Sequence, residues 1–159
     1  DTGVCIDNKN SVHVRVIGKL DIGNEFVFGD VVWGDPSMID FAGQTDVVRV
    51  KKSGIYSVKA FVTIGTDSLP LTDLASYLSI TSSTNNNHKQ DILLLPNPIV
   101  TNEYTQEVTW VGPLNGGSII NGTWFGNGDP NSKIIPDVTG GGVVDFYKSG
   151  FAVRYLFEQ

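Results

Sequence analysis

Apolar and polar positions alternate in short blocks along the chain, and no block sustains a 3.6-residue period. In Ser11-Val12-His13-Val14-Arg15-Val16 the three valines share one side, while Ser11, His13 and Arg15 take the other. That pattern predicts a half-buried strand. Val48 and Val50 alternate with Arg49 and Lys51 in a strand over 46–51, and Lys52-Ser53-Gly54 reads as a turn. The strongest strand follows over 55–64. It places Tyr56, Val58, Ala60, Val62 and Ile64 on one face and Ile55, Ser57, Lys59, Phe61 and Thr63 on the other. Phe61 is a large ring among polar neighbours, which calls for cover from another strand or a partner chain.

Further strands are predicted over 26–33, 75–81, 91–95, 104–111, 119–125, 143–147 and 151–157. The stretches 82–90, 96–102, 112–118, 126–137 and 139–142 are rich in Asn, Gly, Pro and Ser and read as loops. Roughly eight to ten short strands punctuated by turns describe an all-β, two-sheet antiparallel sandwich or jelly roll. No internal repeat and no linker divides the chain. Residues 1–10 are polar and read as a neck or linker, and residues 11–159 read as the head domain.

Composition agrees. Val, Ile and Thr supply 44 of 159 residues, against four Ala and ten Leu. β-branched side chains suit strands, so a helix bundle, coiled coil, TIM barrel or Rossmann domain is excluded. A net charge of -6 provides no general footprint for nucleic acid or an anionic membrane surface. Cys5 is the only cysteine, so an internal disulfide and a cysteine zinc cluster are both impossible, and the thiol is free or pairs between chains. The longest apolar runs, such as Ile92-Leu93-Leu94-Leu95, are too short to span a bilayer as a helix. The expectation is a domain that begins at a processing site or boundary, with a stalk upstream.

Three stretches carry a family resemblance. The first is Val47-Val48-Arg49-Val50-Lys51-Lys52-Ser53-Gly54-Ile55-Tyr56-Ser57-Val58, an apolar strand, a short turn, then Gly-x-Tyr and an alternating strand. The second is Pro113-Leu114-Asn115-Gly116-Gly117-Ser118-Ile119-Ile120, and the third is Ser149-Gly150-Phe151-Ala152-Val153. In this order they resemble tumour necrosis factor-like and complement globular-head domains over roughly residues 40–159. The resemblance implies a jelly roll that forms a homotrimeric head and binds a cell-surface receptor or glycan without catalysis. Such heads occur at the tips of phage and viral spikes or fibres and on collagen-like surface proteins. The disulfide-free, Asn- and Gly-rich loops favour a spike head on a virion surface, or an extracellular one, joined to an upstream stalk or other virion proteins. The alternative is a structural or adhesive head of a collagen-like surface protein. A polysaccharide hydrolase is a weaker third reading. In the trimer the resemblance implies, Phe61 and one or more of Tyr147, Tyr155 and Phe157 line the interface.

Catalytic chemistry finds little footing. There is no Gly-x-Ser-x-Gly elbow, His-Glu-x-x-His or phosphate-cradling loop. No catalytic residue, cofactor or metal is assigned. His13 lies opposite the core valines and reads as a surface or interface residue. Seventeen carboxylates invite a glycosidase reading, but Asp21, Asp30, Asp35, Asp67 and Asp73 sit at strand ends, where Asp favours turns. Asn127-Gly128-Asp129-Pro130-Asn131 offers oxygen ligands yet lacks EF-hand spacing, so it reads as a turn. Asn121-Gly122-Thr123 is a glycosylation acceptor by rule.

Two segments are candidate ligand sites. Asn86, Asn87, His88 and Lys89 form a polar tip, and Trp124, with Asn127 and Asp129 close behind, sets an indole beside amide and carboxylate groups. An indole in such company suits stacking on a sugar, although the favoured reading of Trp124 is a core tryptophan capping the sandwich. Trp33 and Trp110 sit inside apolar runs and read as core.

Overall fold

A computed structural model describes residues 10–19, 24–41, 48–65, 75–83, 89–94, 103–126, 133–135, 137–140 and 143–158. Its strands, in chain order, are β1 (Ser11–Lys19), β2 (Phe26–Gly34), β3 (Ile39–Phe41), β4 (Val48–Val50), β5 (Gly54–Gly65), β6 (Ala75–Ser82), β7 (Lys89–Leu94), β8 (Glu103–Leu114), β9 (Ile119–Gly126), β10 (Lys133–Ile135), β11 (Asp137–Gly140), β12 (Val143–Tyr147) and β13 (Gly150–Phe157). One 3₁₀ turn, Pro36–Met38, lies between β2 and β3.

The first sheet runs β8-β5-β13-β1-β2, with β10 beside the far end of β5; the second runs β3-β4-β9-β6-β7. All pairs are antiparallel, and β11 with β12 forms a separate ribbon. The sheets face one another as a β-sandwich around one core. Val12, Val14, Phe28, Tyr56, Val58, Ala60, Val62, Phe151 and Val153 come from the first sheet. Val48, Val50, Leu78, Ile80, Ile120 and Trp124 come from the second.

β5 is the axis of the first sheet. Its residues 54–65 pair with β8 along one edge, and β13 and β10 share the other. The predicted face of Tyr56, Val58, Ala60, Val62 and Ile64 is buried throughout. The Tyr56 hydroxyl donates to the Lys52 carbonyl at 2.7 Å, which ties the preceding turn to the core strand. Gly54 is required where it stands, because a Cβ there would run into the Tyr155 ring.

A polar bridge joins the sheets. Trp124 Nε1 donates to Ser76 Oγ at 2.6 Å, and Ser76 Oγ donates to Gln106 Oε1 at 2.7 Å. Gln106 Nε2 returns to the Ser76 carbonyl at 3.1 Å. All three side chains are buried. Each polar atom is thus partnered, as burial demands.

Two expectations need correction. The stretches 82–90, 112–118, 126–137 and 139–142 are not wholly loop, since they contain the start of β7, the end of β8, β10 and most of β11. Trp33 is not core: it is 40% exposed, edge-on to His13 with ring centroids 5.0 Å apart. The β1–β2 register slips at three places, starting between His13 and Val14, and these bulges break the alternation that an unbroken apolar run suggests. Trp110 is half-buried and packs against the core.

Tyr56→Ala should lower stability by about 3 kcal/mol or more, because it opens a cavity in the centre of the sandwich. Lys59→Ala should cost less than about 0.5 kcal/mol, since its 3.2 Å ion pair with Glu107 is well exposed. Urea denaturation of the two variants checks the ranking, and the reverse order would place β5 one residue out of register.

Candidate functional site

Alternation in β9 decides the fate of the predicted sugar-stacking residue. Ile120, Gly122 and Trp124 point inward, and Thr123 and Phe125 point outward. Trp124 is only 1% exposed, its indole is engaged by Ser76, and Lys19 Nζ lies 5.0 Å from its ring centroid. It therefore caps the core and offers no face for a sugar, which corrects its assignment as a ligand residue. The outward aromatic is its neighbour, Phe125. It stacks on Tyr77 of β6 at 4.6 Å with an interplanar angle of 14°.

Of the other candidate ligand residues, Asn86, Asn87, His88, Asn127 and Asp129 lie outside the described residues. Lys89 opens β7, with its backbone opposite Ile80. The two candidate segments depart in sequence from opposite ends of β6 and its β9 partner. Residues 84–88 follow the Ser82 end of that strand, whereas residues 127–132 follow Gly126, which pairs with Ser76 at the other end. These two strand ends are about 20 Å apart at ~3.3 Å per residue.

The candidate interface residues also separate. Phe61 sits on the outer face of β5, half-buried, opposite Gly150 and Glu107. Phe157 is 60% exposed and pairs with Ile55 on the same face. Tyr155 turns inward instead, edge-on to Tyr56 with centroids 5.3 Å apart and with Lys52 Nζ 3.8 Å above its ring. Tyr147 ends β12 with its backbone opposite Asp137.

The outer face of the first sheet carries several of the exposed apolar side chains among the described residues, Val111, Trp33 and Phe157 among them. Register places Pro113, Ile55 and Phe157 in one row, and Val111, Ser57, Arg154 and Ser11 in the next. Thr109, Lys59, Ala152, His13 and Trp33 form a third row. Val111 is 58% exposed. The charges around these rows are partly neutralised within the chain, Arg15 by Asp30 at 2.8 Å and Lys59 by Glu107. Burial and the nearby Lys59 ammonium lower the His13 pKa from its ordinary value.

A separate pocket of about 230 Å³ opens at one end of the sandwich, lined by Asn10, Asp35, Ser37, Met38, Lys51, Lys52, Tyr56 and Tyr155. These residues come from the position just before β1, the β2–β3 connection, the β4–β5 turn, the start of β5 and the end of β13. Sequence reasoning missed both this pocket and Phe125. For Phe125 the signal was present in the alternation of 119–126; for the pocket there is no local signal, because its walls converge only in the fold.

The chain matches no family model and no curated protein. No helix among the described residues is long and apolar enough to cross a membrane.

Burial, and then the neighbouring Tyr155, push the Tyr56 pKa up to about 12. The folded state thus favours the neutral phenol more than the unfolded chain does, whose tyrosines ionise near 10. The resulting stability is fully present below pH 10 and is lost as pH rises toward 12. Urea midpoints should therefore fall between pH 10 and 12, and Tyr56→Phe should blunt that fall. An unchanged slope in Tyr56→Phe would place the alkaline titration elsewhere.

Proposed function

We propose that this domain is a non-enzymatic attachment head. In this reading it is a jelly roll that assembles as a homotrimer through the outer face of its first sheet and binds a cell-surface receptor or glycan. The carrying observation is the solvent-facing apolar surface of β8, β5 and β13, centred on Val111, Ile55 and Phe157. A disulfide-free domain that leaves such side chains on one sheet face gains most by burying them against copies of itself.

Strand order supports the jelly-roll part. The first and last strands, β1 and β13, lie side by side within one sheet. The chain crosses from β5 in the first sheet to β6 and β7 in the second, returns as β8, and crosses again as β9. Such crossings between sheets are Greek-key connections. They agree with the resemblance of residues 47–58, 113–120 and 149–153 to tumour necrosis factor-like heads. A spike or fibre tip on a virion is the setting that the loop composition favours.

Light scattering on the purified chain should give about three times the 17.2 kDa of one chain. Val111→Glu and Phe157→Glu, each placing a charge in the apolar rows, should yield monomers with unchanged far-ultraviolet circular dichroism. A wild-type monomer at micromolar concentration would overturn the trimer.

A further inference from the structure

The end pocket has the makings of a ligand site. Its volume of about 230 Å³ lies just below the roughly 300–1,000 Å³ of ordinary small-molecule pockets. That is the scale of one sugar-sized ring.

The pocket is also held in shape. The turn that carries both lysines is tied on two sides, by Tyr56 Oη to the Lys52 carbonyl at 2.7 Å and by the Lys51 N–H to the Met38 carbonyl at 3.3 Å. Tyr155 stands against Tyr56 because Gly54 leaves space for its ring.

Charge selects the ligand class. The walls carry two ammonium groups and one carboxylate, and the two lysines differ in their partners. Lys51 leans toward Asp40 at 3.8 Å. The Asp35 Oδ1 atom already accepts from the Ser37 N–H at 2.9 Å and the Ser37 hydroxyl at 2.6 Å. Lys52 has no carboxylate partner among the described residues; its ammonium rests on the Tyr155 ring. A dianion such as phosphate would meet the Asp35 carboxylate. A ligand with a single carboxylate and several hydroxyls fits both sets of groups: the carboxylate goes to Lys52, and the hydroxyls go to Asn10 and the Asp35 rim. Met38 and Tyr155 supply apolar walls for the ring faces.

We propose that this pocket binds an acidic sugar, a uronate-type saccharide held by its carboxylate on Lys52. The pocket deepens the attachment reading and rests on it for its biological setting. A soluble-sugar titration tests the pocket alone, whereas scattering tests the assembly, so either can fail without the other.

The test is a ¹⁵N-resolved titration of the full chain with methyl β-D-glucuronide, methyl β-D-glucoside and N-acetylglutamate amide. The expected result is saturable shifts at Asn10, Ser37, Lys52 and Tyr155 with the glucuronide, and at least tenfold weaker binding of the other two compounds. Glucuronide affinity should fall as salt is raised, because the contact is ionic. Lys52→Gln should weaken it at least tenfold while leaving the rest of the spectrum in place, and Lys52→Arg should retain it. Equal binding of glucuronide and glucoside would overturn the charge assignment. Equal binding of N-acetylglutamate amide would identify an acidic-peptide site instead. Absence of glucuronide shifts in the folded wild-type chain, or wild-type affinity in Lys52→Gln, would overturn the proposal.

Discussion

A strand hydrogen-bonded along both edges has little freedom of register, and β5 is in that position over most of its length. A slip of one residue would send Tyr56, Val58, Ala60, Val62 and Ile64 to the outside and bring Ile55, Ser57, Lys59, Phe61 and Thr63 in. Burying an ammonium and two hydroxyls in place of apolar groups would cost several kcal/mol. The register of β5 therefore sets that of β8 and β13, and through β13 that of β1. The same constraint arranges the outer face, where Ile55 lines up with Phe157 and Pro113.

The second sheet is keyed to the first by chemistry as well as by packing. Ser76 sits between Trp124 and Gln106, accepting from one and donating to the other. Removing its hydroxyl would leave a buried indole N–H and a buried amide short of partners, at about 1–3 kcal/mol per orphaned group. This bridge holds Trp124 inward and therefore Phe125 outward. It also separates two roles that a reading of adjacent aromatics merges: one ring seals the core, and the other meets solvent beside Tyr77.

Much of the sandwich was legible in the sequence because a shared core enforces strict alternation on long strands. Val12, Val14 and Val16, and the inward row of β5, are the clearest cases. The strands β3, β10 and β11 were not legible, since three or four residues place at most two on a face. Trp33 misled because bulges in the β1–β2 pairing interrupt the period. Trp124 misled because the polar residues after it suggested a surface, although Ile120 and Gly122 already fixed its side of the strand. The pocket was invisible for another reason. Asn10, Asp35, Lys52 and Tyr155 are scattered along the chain and meet only when the ends of several strands are assembled.

The central claim is that β5, paired on both edges, is the element on which the rest is registered. Native-state hydrogen exchange reads this directly, since amides released only by global unfolding exchange slowest. The account predicts that the amides of Tyr56 to Val62 exchange together at the slowest rate in the chain, well behind those of the edge strand β2. Exchange of Val58 and Ala60 as fast as that of Val27 or Val32 would contradict it.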